Sequence, residues 1–506
     1  MDRIKISVKY IAGITVAVLL PFLLSARLFP AEGSSLNYRL IGFSFPTSEG
    51  AENYRIEIAQ GSIYSEDSFK NNLVRIAETN INRVIAEVPS FGSNYTWRIS
   101  YVDKKNVTTT SVFYHFSTLK NKCVDSSLFR MKVEENAKKY ADDYIFLDDN
   151  KTLYNMQGQP VWFLPDIKGI NTTPRDIKLT RQGTITFLFD PVYEINYNGE
   201  VLWQPKDQGK ASGNYTEQYN HEFTRLANGH YMVLGQDSTA VRGLPGSRQT
   251  GAGNKPMSEG TKPAKMQFGT LIEYDSKGNL VWAWKSSEYL AGICRSYLKA
   301  GDDSTVIDAH VNSFYFDEKN RNIYVSFKNI SRILKVKYPE GIVTADYGGN
   351  KDKADFCGQH SVKYSENGYL YLYNNNSCNA AGLPGIVVLK EPGEKGKELE
   401  KIWEYNCVTE PLSADPGNKA SFATGGNVTE LPDSSLFVCT SSTVYNKLFI
   451  VSRKKEILWS AFTSKFNTTD KRWVPAFQYR ASICSREEVE RLIWKSEPET
   501  DNMGTD

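Results

Sequence analysis

Asn198-Gly199-Glu200-Val201-Leu202-Trp203 and Lys277-Gly278-Asn279-Leu280-Val281-Trp282 are two copies of one phrase: a glycine-bearing turn, an apolar pair, a tryptophan. The phrase occurs earlier as Gln157-Gly158-Gln159-Pro160-Val161-Trp162. It returns as Leu399-Glu400-Lys401-Ile402-Trp403 and as Lys454-Lys455-Glu456-Ile457-Leu458-Trp459, with a copy lacking tryptophan at Gly341-Ile342-Val343. About six copies at a period of roughly 40 to 80 residues fall in the range of a repeat architecture. Inside the units lie hairpins such as Phe223-Thr224-Arg225-Leu226-Ala227-Asn228-Gly229-His230-Tyr231-Met232-Val233-Leu234 and Val362-Lys363-Tyr364-Ser365-Glu366-Asn367-Gly368-Tyr369-Leu370-Tyr371-Leu372. Asn-Gly between alternating apolar runs is a strong local hairpin signal, because both central residues of the favoured tight turn need positive φ. Four short strands per unit specify propeller blades, whereas a parallel β-helix has shorter repeats and fewer hairpins. The expected fold is all-β: a six-bladed β-propeller over residues 120–486.

Toward the N-terminus, residues 35–119 alternate in short runs such as Tyr54-Arg55-Ile56-Glu57-Ile58, which suit a small β-sandwich with one wet face per sheet. Tyr95-Thr96-Trp97-Arg98-Ile99-Ser100-Tyr101 resembles a late strand of a fibronectin type III module, so an immunoglobulin- or fibronectin III-like sandwich is expected before the propeller. Residues 1–34 carry Arg3, Lys5 and Lys9 ahead of an apolar run from Tyr10 to Leu24. That pattern is a cleaved signal peptide or an uncleaved membrane anchor, and both export the rest of the chain. The expected location is periplasmic, or membrane-anchored and facing outside the cytoplasm. Gly243 to Lys265 is rich in Gly, Pro, Ser and Lys and reads as a long inserted loop; residues 487–506 read as a polar C-terminal tail.

Composition removes several functions. A formal charge of +2 on 506 residues, without a basic aromatic stripe, gives no nucleic-acid footprint. The seven cysteines contain no CxxC and no metal-ligand spacing, so no structural metal is expected. Cys123 and Cys484 lie near the two ends of the propeller, where a bridge would help close the ring.

Only five histidines occur, and three open the first hairpin strand of successive units: His221, His310 and His360. Innermost strands line a propeller's axis, so these imidazoles are expected to converge at one rim of the central channel. Asn312 falls on the same strand face as His310 by the period of two. His230 and His115 are read as ordinary packed or surface residues. Converging imidazoles suit two chemistries: a three-histidine metal site with an open position, or a nucleophilic histidine flanked by hydrogen-bond donors to an anion. The residues leave both open.

Asp308-Ala309-His310-Val311-Asn312-Ser313, Tyr324-Val325-Ser326-Phe327-Lys328 and Gly358-Gln359-His360 resemble the signature of bacterial arylsulfate sulfotransferases. His221 through Gly229 is similar to that family's His-x-x-x-x-Leu-x-Asn-Gly hairpin, and Gln478-Tyr479-Arg480-Ala481 to its closing strand. The resemblance implies an exported six-bladed enzyme that moves a sulfuryl group from an aryl sulfate to a phenol without a nucleotide donor and without a cofactor. It implies His360 as the nucleophile that becomes N-sulfated, with His221 and His310 holding the sulfuryl oxygens and Asn312 as an added donor. Lys328 stands where the family carries arginine; it keeps the charge and loses the planar fork. Tyr315 and Tyr373 are aromatic candidates for stacking a phenol, with blade packing as their plainer role. The expected partners are a small phenolic donor and acceptor, and a membrane if the N-terminal segment is retained. Two rivals stand beside this reading: a non-catalytic anchored propeller that binds or scaffolds, and a metal-dependent hydrolase or lyase built on the three histidines.

Overall fold

The computed structural model describes residues 28–103, 107–167, 174–189, 191–206, 218–241, 264–295, 307–349, 355–378, 382–393, 398–409, 422–442 and 444–495. The apolar N-terminal run, all but the last two residues of the 243–265 insertion, and residues 496–506 lie outside the described residues. Among the described residues, no helix is long and apolar enough to cross a membrane.

Six sheets, each with a run of four antiparallel strands, form the blades. Their innermost strands are Ala481–Cys484, Arg175–Leu179, Gln218–Arg225, Val311–Asp317, His360–Tyr364 and Asn427–Glu430, for blades one to six. Each inner strand stands beside the next, and that of blade one touches those of both blade two and blade six. Blade one is composite. Its inner strand comes from the far end of the chain and pairs with Tyr144–Leu147, Cys484 opposite Tyr144 and Ala481 opposite Leu147. That ladder closes the ring.

The expected Cys123–Cys484 bridge does not form. Cys484 Sγ donates to the Tyr144 carbonyl at 3.6 Å and Cys123 Sγ to Asn121 Oδ1 at 2.7 Å, so each thiol faces a local acceptor while the β-ladder does the closing. Among the described residues, a disulfide joins Cys357 to Cys378.

The repeated tryptophan has a common job. Trp162 Nε1 donates to the Tyr197 carbonyl of the next blade at 2.7 Å, and Trp203 to Asp275 at 3.2 Å. Trp282 and Trp284 reach Pro339 and Gly341, Trp403 reaches Arg453, and Trp459 returns to Met156 of blade one. Each indole thus packs its body between blades and satisfies its one donor on the neighbour's turn, which suits a residue that is apolar with a polar tip. Each bond adds roughly 0.5–1.5 kcal/mol net.

Nearer the axis a second ring of bonds runs from blade to blade. The backbone N–H groups of Ile177, Phe223, Phe314, Val362, Val428 and Ala481 donate in turn to the side chains of Asp148, Asp176, Glu222, Ser313, Ser361 and Asn427, at 2.9 to 3.4 Å. This belt fixes the rotational phase of the inner strands. It also explains their bulges, since extra residues in the ladder at Arg175/Lys178, Tyr219/Phe223, Val311/Ser313 and His360/Lys363 re-aim side chains toward the axis.

Ahead of the propeller, a six-stranded sheet and the pair Leu40–Ser44 and Arg83–Glu87 make a small β-sandwich around Phe43, Ile56, Tyr95 and Trp97. The same apolar core continues into Trp162, Ile177 and Phe187 of the first two blades. The helix Arg486–Lys495 belongs to it through buried Val489, Leu492 and Ile493, so the chain packs past residue 487 before any polar tail begins.

Candidate active site at one rim of the channel

The three histidines do converge. The ring of His221 lies 5.2 Å from that of His310 and 6.5 Å from that of His360. They arrive by different routes. In the phase set by the belt, His221, Asn312 and His360 each immediately precede an acceptor, so Asn312 occupies the position equivalent to the other two histidines. His310 lies two residues earlier and reaches the rim from a left-handed turn, with φ of 55°. His221 has φ of 57°. Such backbone in a non-glycine residue costs roughly 1–3 kcal/mol and persists where surrounding bonds enforce it. Here they do: the Arg480 Nη1 donates to the His221 carbonyl at 2.9 Å, and the Lys328 N–H to the His310 carbonyl at 2.9 Å.

Each imidazole has its own partner. His310 Nδ1 stands 2.9 Å from Asp308 Oδ2, while the His310 N–H donates to Asp308 Oδ1 at 2.7 Å. His221 Nδ1 meets the Tyr479 hydroxyl at 2.6 Å, with the two rings stacked 5.9 Å apart. His360 Nδ1 meets Asn375 Oδ1 at 2.6 Å, and the Gly425 N–H points at His360 Nε2 from 3.3 Å. Burial pushes the His360 imidazole down to about 3; Asn375 opposes this, and the charges of Arg480, Lys328 and His310 add to it. His221 is driven well below its ordinary value by burial, then by Arg480 and the other two histidines. Both rings are therefore neutral at pH 7. Tyr479 is pushed up to about 12 by burial and stays a phenol.

Two cations flank the rings in different ways. Arg480 is buried, and both its terminal nitrogens are engaged: beyond His221 it donates to the Asn312 carbonyl at 2.7 Å and pairs with Asp176 at 3.3 Å. Burial alone would lower its pKa, but Glu222 and Asp176 hold it raised. Lys328 is the opposite case. Burial lowers its pKa against the pull of Asp308, its charge acts on His221 and His360, and among the described residues its ammonium has no hydrogen-bond partner. A half-buried cation beside two neutral imidazoles supplies positive potential that an anion could meet.

The remaining expected residues are placed otherwise. Asn312 is fully buried, and its Nδ2 spends one of its two N–H groups on the Gln359 carbonyl at 2.6 Å. Tyr373 lies in the packed core between blades five and six, across the ladder from His360. Tyr315 lines a cavity of about 260 Å³ with Lys178, Arg181, Glu222 and Lys363, and none of the three histidines is in that lining. Buried Arg480, Asp176 and Glu222 form an ion cluster with the partly buried Lys178 and Lys363. Among the described residues, no three His, Cys, Asp or Glu side chains stand in a metal-holding arrangement.

Sequence reasoning missed Asp308, Asn375, Tyr479 and Arg480. Asp308 precedes the strand Val311–Asp317, yet the left-handed turn at His310 folds it back onto the ring. Tyr479 and Arg480 had a readable signal: once the closing strand counts as an inner strand, they take the same phase as His221 and Glu222.

Comparison with known proteins adds the following. The model of the arylsulfotransferase (ASST) family matches residues 130–405, which contain all three histidines and Lys328. No curated protein matches the chain. Among solved structures, a protein of unknown function from Bacteroides caccae is 13% identical, with a TM-score of 0.39, covering 71% of this chain and 99% of its own. The periplasmic gluconolactonase of Pseudomonas aeruginosa is 10% identical at the same TM-score and the same coverage. Likenesses this distant carry nothing about the site.

Proposed function

The chain belongs to the arylsulfotransferase family, and from that premise we propose that it moves a sulfuryl group from an aryl sulfate to a phenolic acceptor by way of His360, in two displacements and without a nucleotide donor. The observation that carries this reading is the neutral, buried His360 imidazole beside the uncommitted Lys328 ammonium and the His221 and His310 rings. A nucleophilic imidazole must be unprotonated, and a group with charge on its equatorial oxygens must meet fixed positive potential. Both conditions coincide here.

In the first displacement a ring nitrogen of His360 donates its lone pair to sulfur, and the S–O bond to the aryl group breaks. The aryl oxygen leaves with the bonding pair as a phenolate. Lys328 and the neighbouring imidazoles face the three sulfuryl oxygens, where fixed donors in a water-poor site act most strongly. In the second displacement a phenolate oxygen attacks the same sulfur, the N–S bond breaks, and its electron pair returns to His360. We place the working protein outside the cytoplasm; the Cys357–Cys378 disulfide supports this, since such bonds persist in oxidising compartments.

Mixing the protein with p-nitrophenyl sulfate and phenol tests the reading: nitrophenol release should depend on acceptor, and mass spectrometry after donor alone should find one sulfuryl group on His360. A His360→Ala protein that turns over fully, or a wild type that uses no aryl sulfate, would leave a binding propeller as the better account.

A further inference from the structure

Asn375 follows the second strand of blade five, Tyr369–Asn374, and lies buried against the ring of His360. Its amide orientation is decided by its surroundings: Nδ2 donates to the Phe422 carbonyl at 2.6 Å and to the Gly425 carbonyl at 3.0 Å, which uses both N–H groups. The oxygen must then face His360 Nδ1 at 2.6 Å. An amide oxygen only accepts, so Nδ1 carries the proton and Nε2 carries the lone pair. The Gly425 N–H aimed at Nε2 from 3.3 Å agrees with that tautomer.

We propose that Asn375 is a positioning residue for sulfuryl transfer, making Nε2 the attacking atom and, as a neutral acceptor, keeping the sulfated ring a good leaving group. This rests on the reading of His360 as nucleophile. When Nε2 gives up the Gly425 N–H and turns its lone pair to sulfur, Nδ1 keeps its proton and the ring becomes an imidazolium bearing the sulfuryl group. The next displacement requires that ring to depart with the N–S electron pair while the phenol's proton passes to solvent. A carboxylate at position 375 would stabilise the cationic ring and slow its departure; an amide aligns the ring without that charge. The charged and titratable groups acting on His360 are Arg480, Lys328 and His310, with His221 at 6.5 Å, and no carboxylate is among them. In hydrolases where histidine must gain a proton in the transition state, a carboxylate orients it. Here the imidazole must stay neutral until it meets sulfur, and an amide in the orienting place meets that need.

The test uses the full chain, p-nitrophenyl sulfate as donor and phenol as acceptor, with Asn375→Asp as the near-isosteric variant. The variant should keep its first-turnover release of nitrophenol, slow in steady state by about 10- to 100-fold, as expected for an altered orienting partner, and accumulate the sulfated protein. Its rate should gain a falling acidic limb near neutral pH, where the wild type is flat. A variant that turns over like wild type, with no accumulation and no new limb, overturns the inference. If the variant does not fold, the wild-type adduct decides: nitrogen-15 NMR of histidine-labelled protein should place sulfur on Nε2, and an adduct on Nδ1 overturns the inference alone. A wild type never sulfated on His360 overturns the proposed function, and the inference with it.

Discussion

The depressed pKa of His360 makes a stability prediction that does not depend on catalysis. In the unfolded chain an imidazole titrates near 6.5; in the fold, burial holds His360 at about 3. As pH falls below 6.5, the unfolded chain binds a proton that the folded one refuses, so acidification favours unfolding. The contribution is fully present above pH 6.5 and is lost progressively toward pH 3, at about 1.4 kcal/mol per pH unit and roughly 5 kcal/mol in all. At pH 4.5 the loss is about 3 kcal/mol. Other groups titrate in the same window, and Asp148 runs the other way: burial pushes it up to about 7, so the folded state holds its proton while the unfolded carboxylate is ionised. Comparing wild type with His360→Gln cancels those terms. Urea denaturation followed by tryptophan fluorescence, at steps from pH 7.5 to 4.5, should give two stability curves that approach one another as pH falls, with the slope above. A difference independent of pH would show that His360 is not held neutral by the fold, and would remove the basis for its nucleophilicity.

Two further outcomes follow from the same geometry. Lys328→Ala should lower kcat/KM for p-nitrophenyl sulfate by about 10²- to 10³-fold, the usual effect of deleting one oxyanion donor, while Lys328→Arg should keep most activity; an alanine variant equal to wild type would take the cation out of the site. Gly426→Ala should destabilise the protein by about 2–5 kcal/mol, combining positive-φ strain with overpacking, because φ is 87° and the new Cβ would lie 2.2 Å from Tyr373 Cε1. Calorimetry reads that as a lowered Tm, and an unchanged Tm would contradict the packing described between blades five and six.

Much of the fold was legible in one dimension. The tryptophan phrase recurs because a blade offers a turn carbonyl to the indole of its neighbour, so a local pattern encodes a tertiary contact at five of the six junctions, the lapse being the copy at Gly341-Ile342-Val343 that lacks tryptophan. The hairpins were legible for a similar reason, since each Asn-Gly turn needs a residue at positive φ, which Gly229 and Gly368 supply at 83° and 86°. The convergence of His221, His310 and His360 was also within reach, because inner strands of a propeller must share an axis.

What the chain order concealed were relations set by closure and by bulges. No periodicity reveals that His310 reaches the rim from two residues outside the repeat phase, or that Asn312 stands in its place; a left-handed turn and a bulge break the period-two rule there. Tyr479 meets His221 and Arg480 meets Asp176 although 258 and 304 residues separate them in the chain, which only the C-terminal strand's pairing with Tyr144–Leu147 brings about. Ring closure fell to that same ladder instead of a cysteine pair. Residue types along the chain determined six blades and a histidine-lined rim. The tertiary structure alone decided which atoms face each other there, because protonation, tautomer and free charge depend on burial and on partners that sequence distance does not order.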